Sequence, residues 1–301
     1  MNAACIITVA ITGSRPRKRH NIAVPISVSE QIESTHASFD AGASVVDLHV
    51  RNDDETPSSD PARFSRVLEG IHQHCPDMVT LVSATGSSFD AGHFVEVLKL
   101  GPDMASFTTG SSNLSTCVHG NAPALVEQLA VQMAAHGVKP AIQVFDLSMI
   151  FKAVSMQHGG QIKGPLHMQF LFGAALALPA DREVLLHYVK TLRRLAPDAT
   201  WTGAGSGRDQ LELARWSLEL GGHCRTGLGD NIRLHRHGLA PSNAALVKQI
   251  ECLCMEYGRR PATGPEARRL LSLPPLSASI PAAHDRLTSS KGARNPAREN
   301  G

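Results

Sequence analysis

Short apolar, β-branched segments alternate with helix-like stretches eight times along this chain, and that alternation constrains the fold more than any other feature. The strand-like segments are Cys5–Thr12, Ser44–Val50, Met78–Ala84, Asp103–Thr109, Ala141–Asp146, Leu166–Gly173, Ala199–Ala204 and His223–Gly227. Most are rich in Val, Ile, Thr or Phe and lie beside Gly or Pro breaks. The stretches Val28–Ala41, Pro61–Cys75, Phe89–Leu100, Pro123–His136, Leu147–His158, Asp181–Leu195, Gln210–Leu220 and Asn243–Tyr257 read as helices. Asp60-Pro61 is a matched N-cap and first helical residue, and Gly137 and Gly258 stand where helices stop. Strands alternating with helices imply a parallel sheet. Eight such units in about 250 residues are the count and size of a (β/α)8 TIM barrel, an α/β fold. A doubly wound open sheet is the structural alternative. It normally uses fewer strands, and the first strand-to-helix turn, Thr12-Gly13-Ser14-Arg15-Pro16, lacks the Gly-rich dinucleotide fingerprint.

The barrel is therefore expected over residues 1–273 as one domain, with 274–301 as a disordered C-terminal tail. Composition supports this division. The chain of 301 residues is 42% hydrophobic, enough for a substantial core. Its formal charge is +2, and the basic excess sits in the last twenty residues, with Arg286, Lys291, Arg294 and Arg298 against Asp285 and Glu299. The body is neutral, which argues against a general nucleic-acid binder. The apolar stretch Phe170 to Ala180 is too short to span a bilayer, so no membrane is expected. No basic segment precedes the first apolar run, and none of the six cysteines forms a Cys-x-x-Cys pair. Both point to a reducing cytoplasm.

Chemistry in such a barrel gathers where strands end. Asp47-x-His49-x-Arg51 has period 2, which puts three polar side chains on one face of the second strand. An Asp and a His so placed can share a divalent metal. A polar cluster without metal is the simpler reading of two ligands. Arg225 can clamp a carboxylate or phosphate, and Asp230 nearby can orient it or act as a base; a barrel-closing salt bridge is the plainer alternative. Gly203-x-Gly205-x-Gly207-Arg208 precedes a helix at the position that often binds phosphate, though it is also an ordinary Gly-rich turn. The loop Arg15 to His20 is basic, and suits an anion if it is more than a solvated loop.

Taken in order, these motifs resemble one family. Thr12-Gly13, LHVR at 48–51, Thr85-Gly86, MASFTTGSSN at 104–113, KPAIQVFD at 139–146 and PLHMQFLFG at 165–173 all contribute. AGSGR at 204–208, GGHCRTGLGDN at 221–231, SNAALV at 242–247 and PATGPEARRLL at 261–271 complete the match. The chain is similar to the β-keto acid cleavage enzymes, typified by the 3-keto-5-aminohexanoate cleavage enzyme. The resemblance implies a zinc-dependent barrel that forms a homo-oligomer, usually a tetramer. It implies a reaction of a β-keto acid with acetyl-CoA, giving acetoacetate and a new acyl-CoA, so the expected partners are a small keto acid and a CoA thioester. Arg225 and Asp230 match the catalytic Arg and Asp. The metal positions match unevenly: His49 is kept, Asp47 stands for a His, and Gly229 stands for a Glu. Substrate-binding roles fall to Thr12, Arg15, Arg51, Thr85, Gly86 and Thr108, and to Asn113, Gln143, Gly205, Gly207 and Arg208. Ala84 replaces a Ser, and Gln143 replaces a Glu. Arg15 lies near an acidic position that meets a cationic substrate in the type member, so an anionic or neutral substrate is expected here.

Three functions follow as alternatives. The first is β-keto acid cleavage with an altered metal site and a different substrate. The second is a non-catalytic or regulatory relative that binds an acyl-CoA or keto acid. The third is metal-free acid–base chemistry on the same barrel, with His49 and Asp230 as the pair.

Overall fold

The computed structural model describes residues 3–83, 91–114, 117–173 and 178–276, with the side chains at 114, 117 and 118 left aside. Thr85, Gly86, Ala84 and most of the expected tail lie outside the described residues. Among the described residues, eight parallel strands close into a barrel in strict sequence order. They are β1 (Ile7–Ala10), β2 (Val45–Leu48), β3 (Val79–Val82), β4 (Met104–Thr108), β5 (Lys139–Val144), β6 (His167–Phe172), β7 (Thr200–Gly205) and β8 (His223–Thr226). Each falls inside or within two residues of its expected segment. All but β7 stop earlier than the apolar pattern does, because side chains keep alternating for a residue or two after the backbone bonds end.

The helices α1 (Val28–Asp40), α2 (Pro61–His74), α3 (Ala91–Lys99), α4 (Pro123–Ala135), α5 (Leu147–His158), α6 (Arg182–Leu195), α7 (Gln210–Glu219) and α8 (Asn243–Glu256) wrap the outside. Their starts are chemically marked. Asp60 accepts from the Ala62 amide at 2.9 Å and Asp181 from the Glu183 amide at 2.8 Å. Ser27 and Glu30 form a reciprocal capping box on α1. The apolar stripes then face inward: α2 buries Phe64, Val67, Leu68 and Ile71, and α6 buries Leu185, Tyr188, Val189 and Leu192. Burial of each such side chain is worth roughly 1.5–3 kcal/mol, so the helix–barrel layer carries most of the fold.

Three features have no counterpart in the sequence reading. Strand Ala3–Cys5 pairs in parallel with Arg259–Pro261. Helix α9 (Gly264–Leu270) follows, opened by a Thr263/Glu266 capping box. Together they seal the amino end of the barrel, where Ile6, Val45, Val79 and Met104 pack on Ala262, Ala267 and Leu271. Two short hairpins, Ser112–Leu114 with Cys117–His119 and Arg233–His235 with Gly238–Leu239, decorate the loops after β4 and β8. No helix among the described residues is long and apolar enough to cross a membrane.

Candidate active site at the carboxyl ends of the strands

A chain of buried polar groups crosses the barrel near the carboxyl ends of its strands. Arg225, on β8, lies at its centre and is 4% exposed. Its Nη1 donates to Asp47 Oδ2 at 2.5 Å and to Gln169 Oε1 at 3.2 Å. Its Nε and Nη2 donate to Asp230 Oδ2 and Oδ1 at 2.8 and 3.2 Å. Asp47 Oδ1 accepts from Ser83 Oγ at 2.7 Å, Ser83 Oγ is 2.5 Å from Ser106 Oγ, and Gln143 Nε2 donates to Ser106 Oγ at 3.1 Å. Residues from β2, β4, β5, β6 and β8 are thus joined through strand-end groups. The parallel register brings this about by setting Asp47 level with Ala10 and Leu81, and Gln143 level with Thr108 and Gln169.

Electrostatics sharpen the centre. Burial alone disfavours the charge on Arg225, but Asp230 and Asp47 more than reverse that and raise its pKa. Burial pushes the Asp230 carboxyl up from its ordinary value against the opposing pull of Arg225, which makes it a stronger base. Two carboxyl groups thus face one guanidinium. Burial also lowers the His49 pKa to about 4, with Arg225 and Arg51 adding to the effect and Asp47 opposing it. At neutral pH His49 is an uncharged imidazole.

Donor arithmetic shows what remains for a substrate. A guanidinium has five N–H groups. Four of Arg225's are spent on Asp47, Gln169 and Asp230, which among the described residues leaves one on Nη2. Gln169 is fully buried, and its Nε2 has no partner among the described residues. An unpaired buried amide costs about 1–3 kcal/mol, so this group calls for an acceptor in the barrel mouth. Ser83, Ser106 and Gln169 escaped the sequence reading as site residues. The available signal was a lone polar residue inside an apolar strand, as Gln169 is in His167–Phe172.

Several expected substrate-binding residues do other work. Arg51 is 1% exposed and donates to the carbonyls of Gly13, Pro16, Glu55 and Thr12. It is a staple for the β1–α1 loop. The period-2 argument fails there because β2 ends at Leu48. Burial lowers its pKa to about 10, which leaves it charged at neutral pH. The Thr12 hydroxyl donates to Pro25 O at 2.9 Å and also ties the loop. Gly205 lacks a side chain because Cβ would lie 2.7 Å from Gln210 Cα. The loop after β7 is a poor phosphate cradle: the amides of Ser206, Gly207 and Asp209 already donate to Phe172, Asp230 and Ser206 carbonyls. Thr108 is buried, and Asn113 is exposed beside a separate cleft formed with Phe145 and Asp146. Arg15 is exposed.

Arg208 is 95% exposed and lines a groove of about 820 Å³ with Arg233, His235 and Arg236. The other walls are Leu211, Leu228, Ile232 and Leu234, and Asp230 borders the same groove. The hairpin that carries Arg233 is fastened to the β1–α1 loop by Asn21, whose Nδ2 donates to Ile232 O and Ala240 O at 3.0 and 2.8 Å.

Comparison with known proteins decides the family. The profile of the beta-keto acid cleavage enzymes matches residues 4–273. The chain belongs to that family. It is similar to the 3-oxoadipate:acetyl-CoA acetyltransferase of Cupriavidus necator, at 63% identity over 92% of this chain and 97% of that protein. The 3-keto-5-aminohexanoate cleavage enzyme of Fusobacterium nucleatum is 36% identical over 89% of this chain and 97% of its own length. Among solved structures, ObcA in a ternary complex with a C4-CoA adduct and oxalate aligns with a TM-score of 0.72 at 17% identity. That alignment covers 83% of this chain and 68% of ObcA, and it shows the shared barrel alone.

As a member of the beta-keto acid cleavage enzymes, the chain is an enzyme. The zinc that the resemblance implies does not fit its residues. Among the described residues no group of three His, Cys, Asp or Glu side chains could hold a metal ion. Both Asp47 oxygens are engaged by Ser83 and Arg225, and Gly229 offers no side chain.

Proposed function

We propose that this enzyme transfers the acyl part of an anionic β-keto acid to CoA, with 3-oxoadipate as the substrate and acetyl-CoA as the partner. The observation that carries this is 63% identity, over nearly the full length, to a 3-oxoadipate:acetyl-CoA acetyltransferase. The site agrees in charge, since Arg208 is an exposed cation on the groove that Asp230 borders.

The stoichiometry fixes which bonds change. The C2–C3 bond of the keto acid breaks, C2 joins the acetyl group, and the C3 acyl group leaves on sulfur. From 3-oxoadipate and acetyl-CoA the products are acetoacetate and succinyl-CoA. Asp230 is positioned to take a proton from C2. The remaining Nη2–H of Arg225 and the Gln169 amide face oxygen atoms that gain charge as C2 becomes carbanionic. Attack on the thioester expels the CoA thiolate, which then adds to C3. Cleavage releases acetoacetate as its enolate, and Asp230 returns the proton to it. The groove bordered by Asp230 suits the thioester: an apolar wall for the pantetheine arm and Arg208, Arg233 and Arg236 for the phosphates. Use of acetyl-CoA fits a cytoplasmic enzyme, and the family resemblance supports a homo-oligomer.

The test is direct. Purified protein with acetyl-CoA and 3-oxoadipate should form succinyl-CoA and acetoacetate in equal amounts, ahead of β-keto acids that lack the distal carboxylate. If no keto acid in such a panel yields an acyl-CoA, the proposal is wrong.

A further inference from the structure

The groups around Arg225 do more than leave a metal without ligands; they occupy its place. Asp47 is completely buried, and its two oxygens are held by Ser83 Oγ at 2.7 Å and Arg225 Nη1 at 2.5 Å. A zinc–carboxylate bond is about 2.0–2.2 Å long, so a metal on Oδ2 would have to displace the guanidinium. Asp230 holds that guanidinium in place through two further bonds, and Gln169 Oε1 through another. A divalent ion would also meet a fixed positive charge within contact distance.

The third ligand position is closed by backbone. A Cβ built on Gly229 would lie 2.7 Å from Gly13 N and 2.9 Å from Ala10 O. A Cβ on Gly13, whose φ is +60°, would lie 2.7 Å from both Gly229 Cα and Gly229 O. The Gly229 amide also donates to Ala10 O at 2.8 Å. The two loops touch glycine to glycine, and neither position admits a side chain without backbone movement. Arg51 secures the contact by gripping Gly13 O with Nε at 2.9 Å and Nη2 at 2.5 Å. Gly229, Gly13 and Arg51 therefore act as one matched set.

We infer that this site is closed to a divalent metal, and that the Arg225 guanidinium, fixed between Asp47 and Asp230, supplies the positive charge that zinc supplies elsewhere in the family. The inference rests on the reading of the chain as a β-keto acid cleavage enzyme, but its test does not depend on turnover. Full-length protein grown with added zinc should retain far less than one zinc per chain by elemental analysis. Zinc titrated into the protein should give no saturable heat and no rise in melting temperature. Turnover of 3-oxoadipate with acetyl-CoA should be unchanged after dialysis against a chelator.

One tightly held zinc per chain, or a zinc-dependent rise in melting temperature that Asp47→Ala abolishes, would overturn the inference. So would activity that appears only when zinc is added. Zinc-free protein that turns over no keto acid leaves the closed site standing and removes the functional reading instead. The double variant Asp47→His/Gly229→Glu should melt lower than the parent and still take up no zinc. Stoichiometric zinc in that variant at parental stability would refute the steric closure.

Discussion

The two ends of the barrel are built from similar parts put to different use. Each end has a buried arginine sewn to backbone carbonyls. At the amino end Arg259 donates to Gly222 O and Ala4 O, and at the mouth Arg51 donates to four carbonyls. Each end also has a second buried arginine that meets a carboxylate, Arg268 with Asp103 at the amino end and Arg225 at the mouth, but only Arg225 lies between two of them. The amino end is filled by Ile6, Val45, Val79, Leu81 and Met104 under α9, where polar groups serve caps and ties. The mouth keeps Arg225 with its two carboxyl groups, a neutral imidazole and a Gln169 amide that has no partner among the described residues. An arginine satisfied by carbonyls holds loops; an arginine held between two carboxylates, with one N–H to spare, can also act on a ligand.

The largest expected effect tests this contrast. Arg225→Met leaves Asp47 and Asp230 buried without their shared cation, a loss of roughly 3–5 kcal/mol by analogy with other broken buried pairs. Urea denaturation should show the loss, and turnover should vanish in the fraction that folds. Near-normal turnover would remove Arg225 from the chemistry. Next comes Gly229→Ala, where the new methyl meets backbone rather than a flexible side chain. Overpacking of this kind costs about 1–3 kcal/mol. Its melting temperature should fall, whereas Gly238→Ala, with nothing within 4 Å of its Cβ, should melt like the parent.

At the other end, Arg259→Met should cost about 1–3 kcal/mol by leaving two carbonyls unpaired, with kcat per folded molecule preserved. A drop in kcat there would blur the division between the ends. Gln169→Leu is a finer probe: besides the bond that Gln169 accepts from Arg225, it removes a bond to the keto acid worth about 0.5–1.5 kcal/mol, which should raise KM by up to roughly tenfold. An unaltered KM would show that the free amide meets no substrate atom.

The smallest effect concerns pH. Lys18 and the amides of Ser27 and Ile26 together outweigh burial and hold the Glu30 pKa at about 2. Because this value lies below the unfolded one, Glu30 contributes stability above about pH 4.5, and that share is lost as pH falls towards 2. Glu30→Gln should flatten the acid limb of the melting curve slightly while leaving the Arg225 centre untouched.

The barrel was legible in the sequence because strands buried on both faces write continuous apolar runs, and helices with one dry face write a 3.6-residue stripe. The short elements left little such trace. Strand Ala3–Cys5 and its partner Arg259–Pro261 are three residues each, and their pairing spans almost the whole chain. Helix α9 did carry a signal, Thr263 three residues before Glu266, but it lacks the length of a repeating stripe. Within the site, Arg225 and Asp230 were legible as neighbours on one strand and its loop. Asp47 was legible as a polar strand residue, yet its partner lies 178 positions away in sequence. Arg51 misled because a period-2 face has meaning only while the strand lasts. The amides after β7 misled because Gly-rich spacing does not reveal which N–H groups neighbouring carbonyls have already taken.

The pairing of Ala3–Cys5 with Arg259–Pro261 bears on how this protein can be handled. It brings the first described strand and the last described helix to the end of the barrel away from Arg225. A surface anchor, reporter or fusion partner joined next to Ala3 starts from the sealed end. Immobilised through such a tether, the enzyme would present its mouth to the solution, so its ligands could be exchanged without passing the attachment.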